Sequence, residues 1–545
     1  MPRLDERRWS CTHVKMRTMR AVQQDDAVMN RRPWWRNRFA YIVLVMIALV
    51  AALYLYRIGS DPPGLYADEA SIGYNAWTIA HYGTDQYGIH FPLFFTDFGD
   101  YKGPIATYLV APLTWVFAGG AAVVRLPSVL AGIALSVVAG RIALVRTGSR
   151  LVALVTIALT ALQPWIFLQS HTMLEGNILM VLAVMCACWC IVEANIAGAS
   201  GRWWTGAGVA LAICIYTYSV GRLLALLIAA VAVLSFARVG REKMLRFLFP
   251  IAAAYIILAI WSFENPGALL ARFQGVGLLA DHPTVIAALA RFLGNYGSYF
   301  SPGFLVLHGD GNLRQTTGFG GVLLDATIPL MIIGAARLVR SWRNPYSRFV
   351  VLGALVAPVP AALTLVAPHA LRGAGLIPFL ILMMVEGASW AGTLLQSRRL
   401  IAFGLVAVVI ASAAPYFVDF FTGYPARAEL EFEAGEGAAM AMAYTRAEAG
   451  GHRLFLSATL NQPALQLMYA VDAPPPQNDF VRRARIIVVR TLAQLDTAKP
   501  GDVLVIGPHD PPPPAARLLF LVDDGRIVQA PATVASSDLL CVYQA

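Results

Sequence analysis

The sequence predicts a polytopic α-helical membrane protein that ends in a small α/β domain. Three observations predict it. Of the 545 residues, 58% are hydrophobic and 14% charged, with a mean hydropathy of +0.60; soluble domains average about 45–50% and about 25%. Apolar runs of roughly 20 residues, the length that crosses a bilayer, recur along the chain. Strand-like and helix-like runs then alternate in the last stretch. These features exclude a disordered, collagen-like or ordinary cytosolic protein. They also exclude a disulfide scaffold: Cys186, Cys188, Cys190 and Cys214 sit inside apolar runs, and Cys11 and Cys541 stand alone near opposite ends. The net charge of +10 comes from basic residues dispersed between apolar segments. It therefore reads as membrane topology, not as a nucleic-acid surface.

The first span runs from Phe39 to Tyr56. The 38 residues before it hold ten Lys or Arg against four acids, a basic cytoplasmic tail. That tail is too long, and the site after the span too poor in A-x-A character, for a cleaved leader, so the span reads as a signal anchor. Further spans fall near 126–144, 151–169, 177–197, 204–221, 223–239, 247–263, 320–338, 349–367, 373–394 and 400–418, which makes eleven. Odd parity puts residues 419–545 outside. The predicted inner loops hold fourteen Lys or Arg and the outer segments before 419 hold eight, the asymmetry that the positive-inside rule requires. Residues 104–119 look like another span, but counting them would turn Arg141, Arg146 and Arg150 outward. They read instead as a helix on, or dipping into, the outer leaflet. In 419–545, strand-like 452–458, 484–490, 502–508 and 518–524 alternate with helix-like 435–449, 463–471 and 491–498. The pattern predicts an α/β sandwich with a largely parallel sheet.

The chemistry is expected at the outer membrane ends, where charges are costly unless they serve a purpose or face water. The first outer loop, 57–125, holds Asp68–Glu69, Asp85, Asp97, Asp100 and Lys102 among several tyrosines, Tyr66 included. Lys102 is one of only four lysines, and the others lie in inner segments or the tail domain. A compact ammonium there suits a phosphate; the alternative is a snorkelling lysine paired with Asp100. Asp68 and Glu69 read as a base beside a substrate, or else as first-turn residues of a short helix. Glu175 opens a span, where the helix dipole also favours an acid, and His171 stands four residues earlier. Two ligands do not define a metal site, so a divalent cation stays open. Arg222 and the PHALRG segment, with His369 and Arg372, supply cations and a polar edge for a phosphate; interfacial arginines are the alternative. Cys186, Cys188 and Cys190 alternate by two, which places only 186 and 190 on one helix face and reads as core.

In order and context, YADEA (66–70), DYKGP (100–104), VRLPS (124–128) and SHTMLEGN (170–177) resemble the GT-C superfamily of membrane glycosyltransferases. The resemblance is to the branch with protein O-mannosyltransferases and the lipid A aminoarabinose transferase, glycosyltransferase family 39-like. It covers residues 60–240 well and the rest by architecture. It implies a polyprenyl-phosphate-linked sugar donor, a lipid, glycan or protein acceptor, and transfer at the extracytoplasmic face of the plasma (inner) membrane. By the match Asp68 looks like the catalytic base, Lys102 like the phosphate-binding lysine and Glu175 like the second acid. From the residues themselves Glu69 is grouped with the catalytic acids, and Tyr66, Asp100, His171, Arg222, His369 and Arg372 with Lys102 as the substrate-binding set. His171 stands where the family has Arg, and Gly103 where Pro is common. A lipid phosphate leaves without protonation, so one base suffices and a single displacement inverts the anomeric centre. The competing reading is a transporter or flippase of lipid-linked sugars. It would place ionisable groups near the bilayer midplane, where this chain has mainly Glu386, and internal repeats, of which none is visible.

Overall fold

The structure, a computed structural model, describes residues 38–196, 199–395, 399–530, 534 and 539–545. The basic tail before Arg38 and Cys11 lie outside the described residues.

A helix stands at each of the eleven predicted positions. Among the described residues six are long and apolar enough to cross a membrane, or seven if the pair Arg150–Ala161 and Pro164–Ser170, bent by 60°, is one span. The break in that pair falls at Gln163, before a proline that starts the second half, where the ring's missing N–H costs nothing. Arg38–Leu55 has 11% of its apolar window buried and Asn177–Ala194 has 78%, so the first is peripheral and the second central. Helices Ile328–Arg340 and Ile377–Leu395 cross closely because Gly334 and Gly387 let each backbone meet the other's carbonyls, the small-residue packing that membrane helices favour. Residues 104–119 form two short helices, Pro104–Val110 and Ala111–Trp115, and no full-length one. An element not expected from the sequence is Val285–Ser298, N-capped by Thr284, with Val285 and Ile286 exposed.

The first outer loop is ordered. Ala67–Tyr82 is a helix with Asp68 and Glu69 in its first turn and left-handed Gly83 after it, the acid-start, glycine-stop arrangement that satisfies both ends. β1 (Phe95–Asp97) and β2 (Asp100–Lys102) form a hairpin that pairs Phe95 with Lys102 and Asp97 with Asp100. Its two-residue turn, Phe98–Gly99, has positive φ at both positions, 51° and 75°, which matches the strand twist.

The C-terminal domain is a six-stranded sheet of β3 (Leu454–Ser457), β4 (Ile486–Val489), β5 (Val503–Ile506), β6 (Arg517–Asp523), β7 (Arg526–Gln529) and β8 (Leu540–Gln544), ordered β4-β3-β5-β8-β6-β7. The expectation of a largely parallel sheet is corrected. β3 pairs parallel with β4 and β5, but β5–β8, β8–β6 and β6–β7 are antiparallel. The physical reason is the Asp524–Gly525 turn, both at positive φ, which closes β6–β7 as a tight hairpin and leaves no crossover helix there. Alternate residues of the central strands enter two separate clusters. Leu454, Leu456, Val503 and Val505 pack with helix Glu436–Gly450, while Phe455, Leu504 and Ile506 form the other face. The domain is anchored on the first outer loop: Tyr74 Oη donates to Ala473 O at 2.9 Å and Gly120 N to Tyr469 Oη at 2.8 Å.

Candidate active site

Asp68 rises from the first helical turn and Lys102 ends β2, and the hairpin brings them together. Lys102 Nζ lies 2.5 Å from Asp68 Oδ1 and 2.7 Å from Asp97 Oδ2, and 4.3 Å from the Phe98 ring centre. Asp97 is buried, whereas Asp68 keeps 17% of its side chain exposed. That difference makes Asp68 the partner that faces outward. Burial works against the ammonium, but Asp68, Asp97 and Glu175 outweigh it and hold the Lys102 pKa above the ordinary lysine range. The ammonium donates to Asp68 and is ion-paired with Asp97.

Gly103 follows at once, and a Cβ there would collide with the carbonyl oxygens of Tyr216 and Thr217. The hairpin therefore rests directly on the end of helix Arg202–Thr217. This accounts for glycine at that position: a proline would carry the same Cβ.

Glu175 completes the group from a third segment. Its φ of 53° turns the chain before Asn177–Ala194. Arg272, on a short helix Ala271–Val276, lies 3.9 Å from Glu175 Oε1 and 3.7 Å from Asp100 Oδ2, with 43% of its side chain exposed. Both distances exceed a hydrogen bond, so Arg272 is held loosely. Burial, with the Asp68 charge adding to it and Lys102 and Arg272 opposing, pushes Glu175 up to about 7. Arg222 Nη2 donates to Tyr101 O at 3.3 Å on the same hairpin, and the guanidinium stacks on Phe94. Arg372 flanks Tyr218, which also feels Glu175, Arg272 and Asp68. His369 accepts from Arg372 N at 3.4 Å; burial and three nearby arginines push it down to about 3, a neutral imidazole. Tyr66 precedes the Asp68 helix with Arg314 over its ring at 4.4 Å.

Two expected residues are occupied elsewhere. Glu69, fully buried, takes Arg125 Nε and Nη2, each at 2.8 Å, the Met173 N–H at 2.9 Å and the Tyr66 N–H at 3.3 Å. Both its oxygens are thus committed inside the protein. His171 is fully buried among Tyr54, Phe167 and Phe420, hydrogen-bonded to Phe167 O at 3.0 Å, and burial pushes it down to about 4. It does not join the Lys102 group. Among the described residues no group of three or more His, Cys, Asp or Glu is arranged to hold a metal ion.

Sequence reasoning gave no role to Asp97, Arg125 or Arg272. For Asp97 the signal was weak: a single glycine, Gly99, in FTDFGDYK allows a turn, but Phe-Gly is not one of the dipeptides that favour a two-residue hairpin. Arg125 stood inside VRLPS, but its partner is 56 residues away. Arg272 carries no local signal at all.

Residues 101–263 match the family model described as dolichyl-phosphate-mannose-protein mannosyltransferase. No curated protein matches the chain. The fold is similar to that of ArnT from Cupriavidus metallidurans in the apo state, with a TM-score of 0.55 and 14% identity over 92% of this chain and 97% of that one. It is also similar to ArnT bound to undecaprenyl phosphate (TM-score 0.54, 14% identity, 93% and 98% covered). The Archaeoglobus fulgidus oligosaccharyltransferase follows, at 0.52 and 11% identity over 89% and 73%. The resemblance read from the sequence is borne out: the chain has the GT-C glycosyltransferase fold and is a multi-pass membrane protein.

Proposed function

We propose that this chain, on the premise of its GT-C fold, transfers a sugar from a polyprenyl-phosphate carrier to an acceptor hydroxyl, at the extracytoplasmic face of the inner membrane and with inversion. The observation that carries the proposal is the Lys102 ammonium held between Asp68 and Asp97, with the loosely paired Arg272 nearby. The Lys102 ammonium and the Arg272 guanidinium are a pair of cations for one phosphate. That ArnT has this fold and binds undecaprenyl phosphate supports a lipid-linked donor.

In the reaction the acceptor oxygen attacks the anomeric carbon and gives its proton to Asp68. The bond from that carbon to the phosphate oxygen breaks, and its electron pair goes to the phosphate, where Lys102 and Arg272 stabilise it. Before the donor arrives, Lys102 neutralises Asp68. A bound phosphate draws the ammonium toward itself and frees the Asp68 carboxylate for the entering acceptor hydroxyl. Glu69 acts here as a positioning residue, fixing the turn that carries Asp68.

The test is an Asp68→Asn variant of the full chain, with co-purified lipid read by mass spectrometry. The expected result is a retained polyprenyl-phosphate sugar and no transfer. Full turnover by the variant would defeat the proposal.

A further inference from the structure

A second polar cluster lies near Tyr66, unused by the donor chemistry. Tyr66 feels the charges of Asp68 and Lys102 and also those of Arg314 and Glu433. Arg314 stacks over the Tyr66 ring and pairs with Glu431 at 3.2 Å. Glu433, buried, accepts from Asn461 Nδ2 at 2.5 Å and from Gln466 Nε2. The same Gln466 amide reaches Leu65 O at 3.2 Å, three residues from Asp68. Asn461 and Gln466 follow the carboxyl end of β3, and there the chain goes to β4 on one side while β5 lies on the other. Open α/β sheets bind ligands at such a divergence. An independent sign is Glu436, whose charge reaches Glu433. It is 4% exposed, and its Oε2 has no hydrogen-bond partner, a costly state for a buried carboxyl oxygen unless a donor arrives.

We propose that Tyr66, Arg314, Glu433, Asn461 and Gln466 form the acceptor subsite, and that it takes an uncharged carbohydrate whose hydroxyl is the nucleophile. The proposal rests on the transferase reading above. A carboxyl group flanked by two amides offers both donors and acceptors to neighbouring hydroxyls, and the stacked Tyr66–Arg314 pair offers a flat face to a sugar ring. The charge balance points the same way. Burial, with the Glu436 charge adding to it, pushes Glu433 up to about 8, and burial pushes Glu436 up to about 7. Protonated or not, these groups give no positive charge, and Arg314 is paired with Glu431. With Arg314 matched by Glu431 at 3.2 Å, the described residues of this cluster carry no net positive charge to favour a phosphate-bearing acceptor.

The experiment titrates the full chain in lipid nanodiscs with undecaprenyl phosphate, with a panel of neutral mannose, glucose, galactose and arabinose oligosaccharides, with their terminally phosphorylated forms, and with a Ser/Thr peptide. At least one neutral oligosaccharide binds, its phosphorylated form binds about tenfold more weakly, and Glu433→Gln and the exposed-rim variant Asn461→Ala each lose about tenfold in glycan affinity. In both variants the affinity for undecaprenyl phosphate stays within about twofold. Binding by no neutral member, equal or tighter binding of the phosphorylated forms, binding of the peptide instead, unchanged glycan affinity in both variants, or parallel loss of both ligand classes each overturns the proposal. Failure of the wild type to bind undecaprenyl phosphate strikes the donor reading instead, so the two failures are told apart.

Discussion

Arg125 and Glu69 form a two-pronged ion pair that no solvent reaches, both prongs at 2.8 Å. The guanidinium also binds the carbonyl oxygens of Ile58, Pro62 and Gly64, so one side chain gathers the whole approach to the Asp68 helix. Removing one partner of a buried pair leaves the other charge uncompensated, at about 3–5 kcal/mol. Glu69→Ala and Arg125→Ala are therefore expected to lower the thermal midpoint of the detergent-purified protein far more than Asp68→Asn does. Wild-type melting of both would show that the pair holds nothing.

Lys102 is expected to act through its charge and its shape. Lys102→Ala should weaken undecaprenyl phosphate binding by at least tenfold, the order of one charge-assisted hydrogen bond. Lys102→Arg keeps the charge but not the compact head that fits between Asp68 and Asp97, and should restore only part of the affinity. Lipid binding by the Ala variant equal to wild type would exclude Lys102 from the phosphate site.

Glu175 gives the protein a pH signature. Its pKa is raised from 4.5 to about 7 by burial, with the Asp68 charge adding to it, so the folded state binds this proton more tightly than the unfolded one. The resulting stability is fully present below about pH 4.5 and is lost as pH rises through about 7. The melting temperature of the wild type should therefore fall more steeply between pH 5 and 8 than that of Glu175→Gln. Parallel profiles would remove Glu175 from the account.

Gly103→Ala tests the seat of the hairpin. The added methyl meets the carbonyls of Tyr216 and Thr217, backbone atoms that cannot swing away, so about 1–3 kcal/mol of overpacking is expected. Because β2 carries Lys102, the displacement should appear as weakened undecaprenyl phosphate binding as well as a lower melting temperature. A fully tolerated alanine would mean that the hairpin is not seated as described.

His171→Phe separates a packing role from a ligand role. His171 is neutral and enclosed by aromatic rings, so a phenyl ring in its place should leave undecaprenyl phosphate affinity within about twofold and cost less than about 1.5 kcal/mol. A large loss of affinity would return His171 to the site.

The sequence by itself determined the membrane class, where the helices fall and the segment in which the chemistry is expected. Hydropathy, basic-loop asymmetry and the acid-lysine motifs are local or periodic signals, and they survive without coordinates. What only the tertiary structure decided is which charges meet. Asp68 and Glu69 are neighbours in sequence, but one helical step sends the first to Lys102 and the second to Arg125. Asp97 joins Lys102 through a hairpin register, and Arg272 reaches Asp100 and Glu175 from a distant segment. The sheet shows the same division: its strand positions follow from alternating patterns, but its mixed direction depends on β8 entering between β5 and β6. Hydrophobic burial is written residue by residue along the chain, whereas the pairing of charges depends on the path the backbone takes between them.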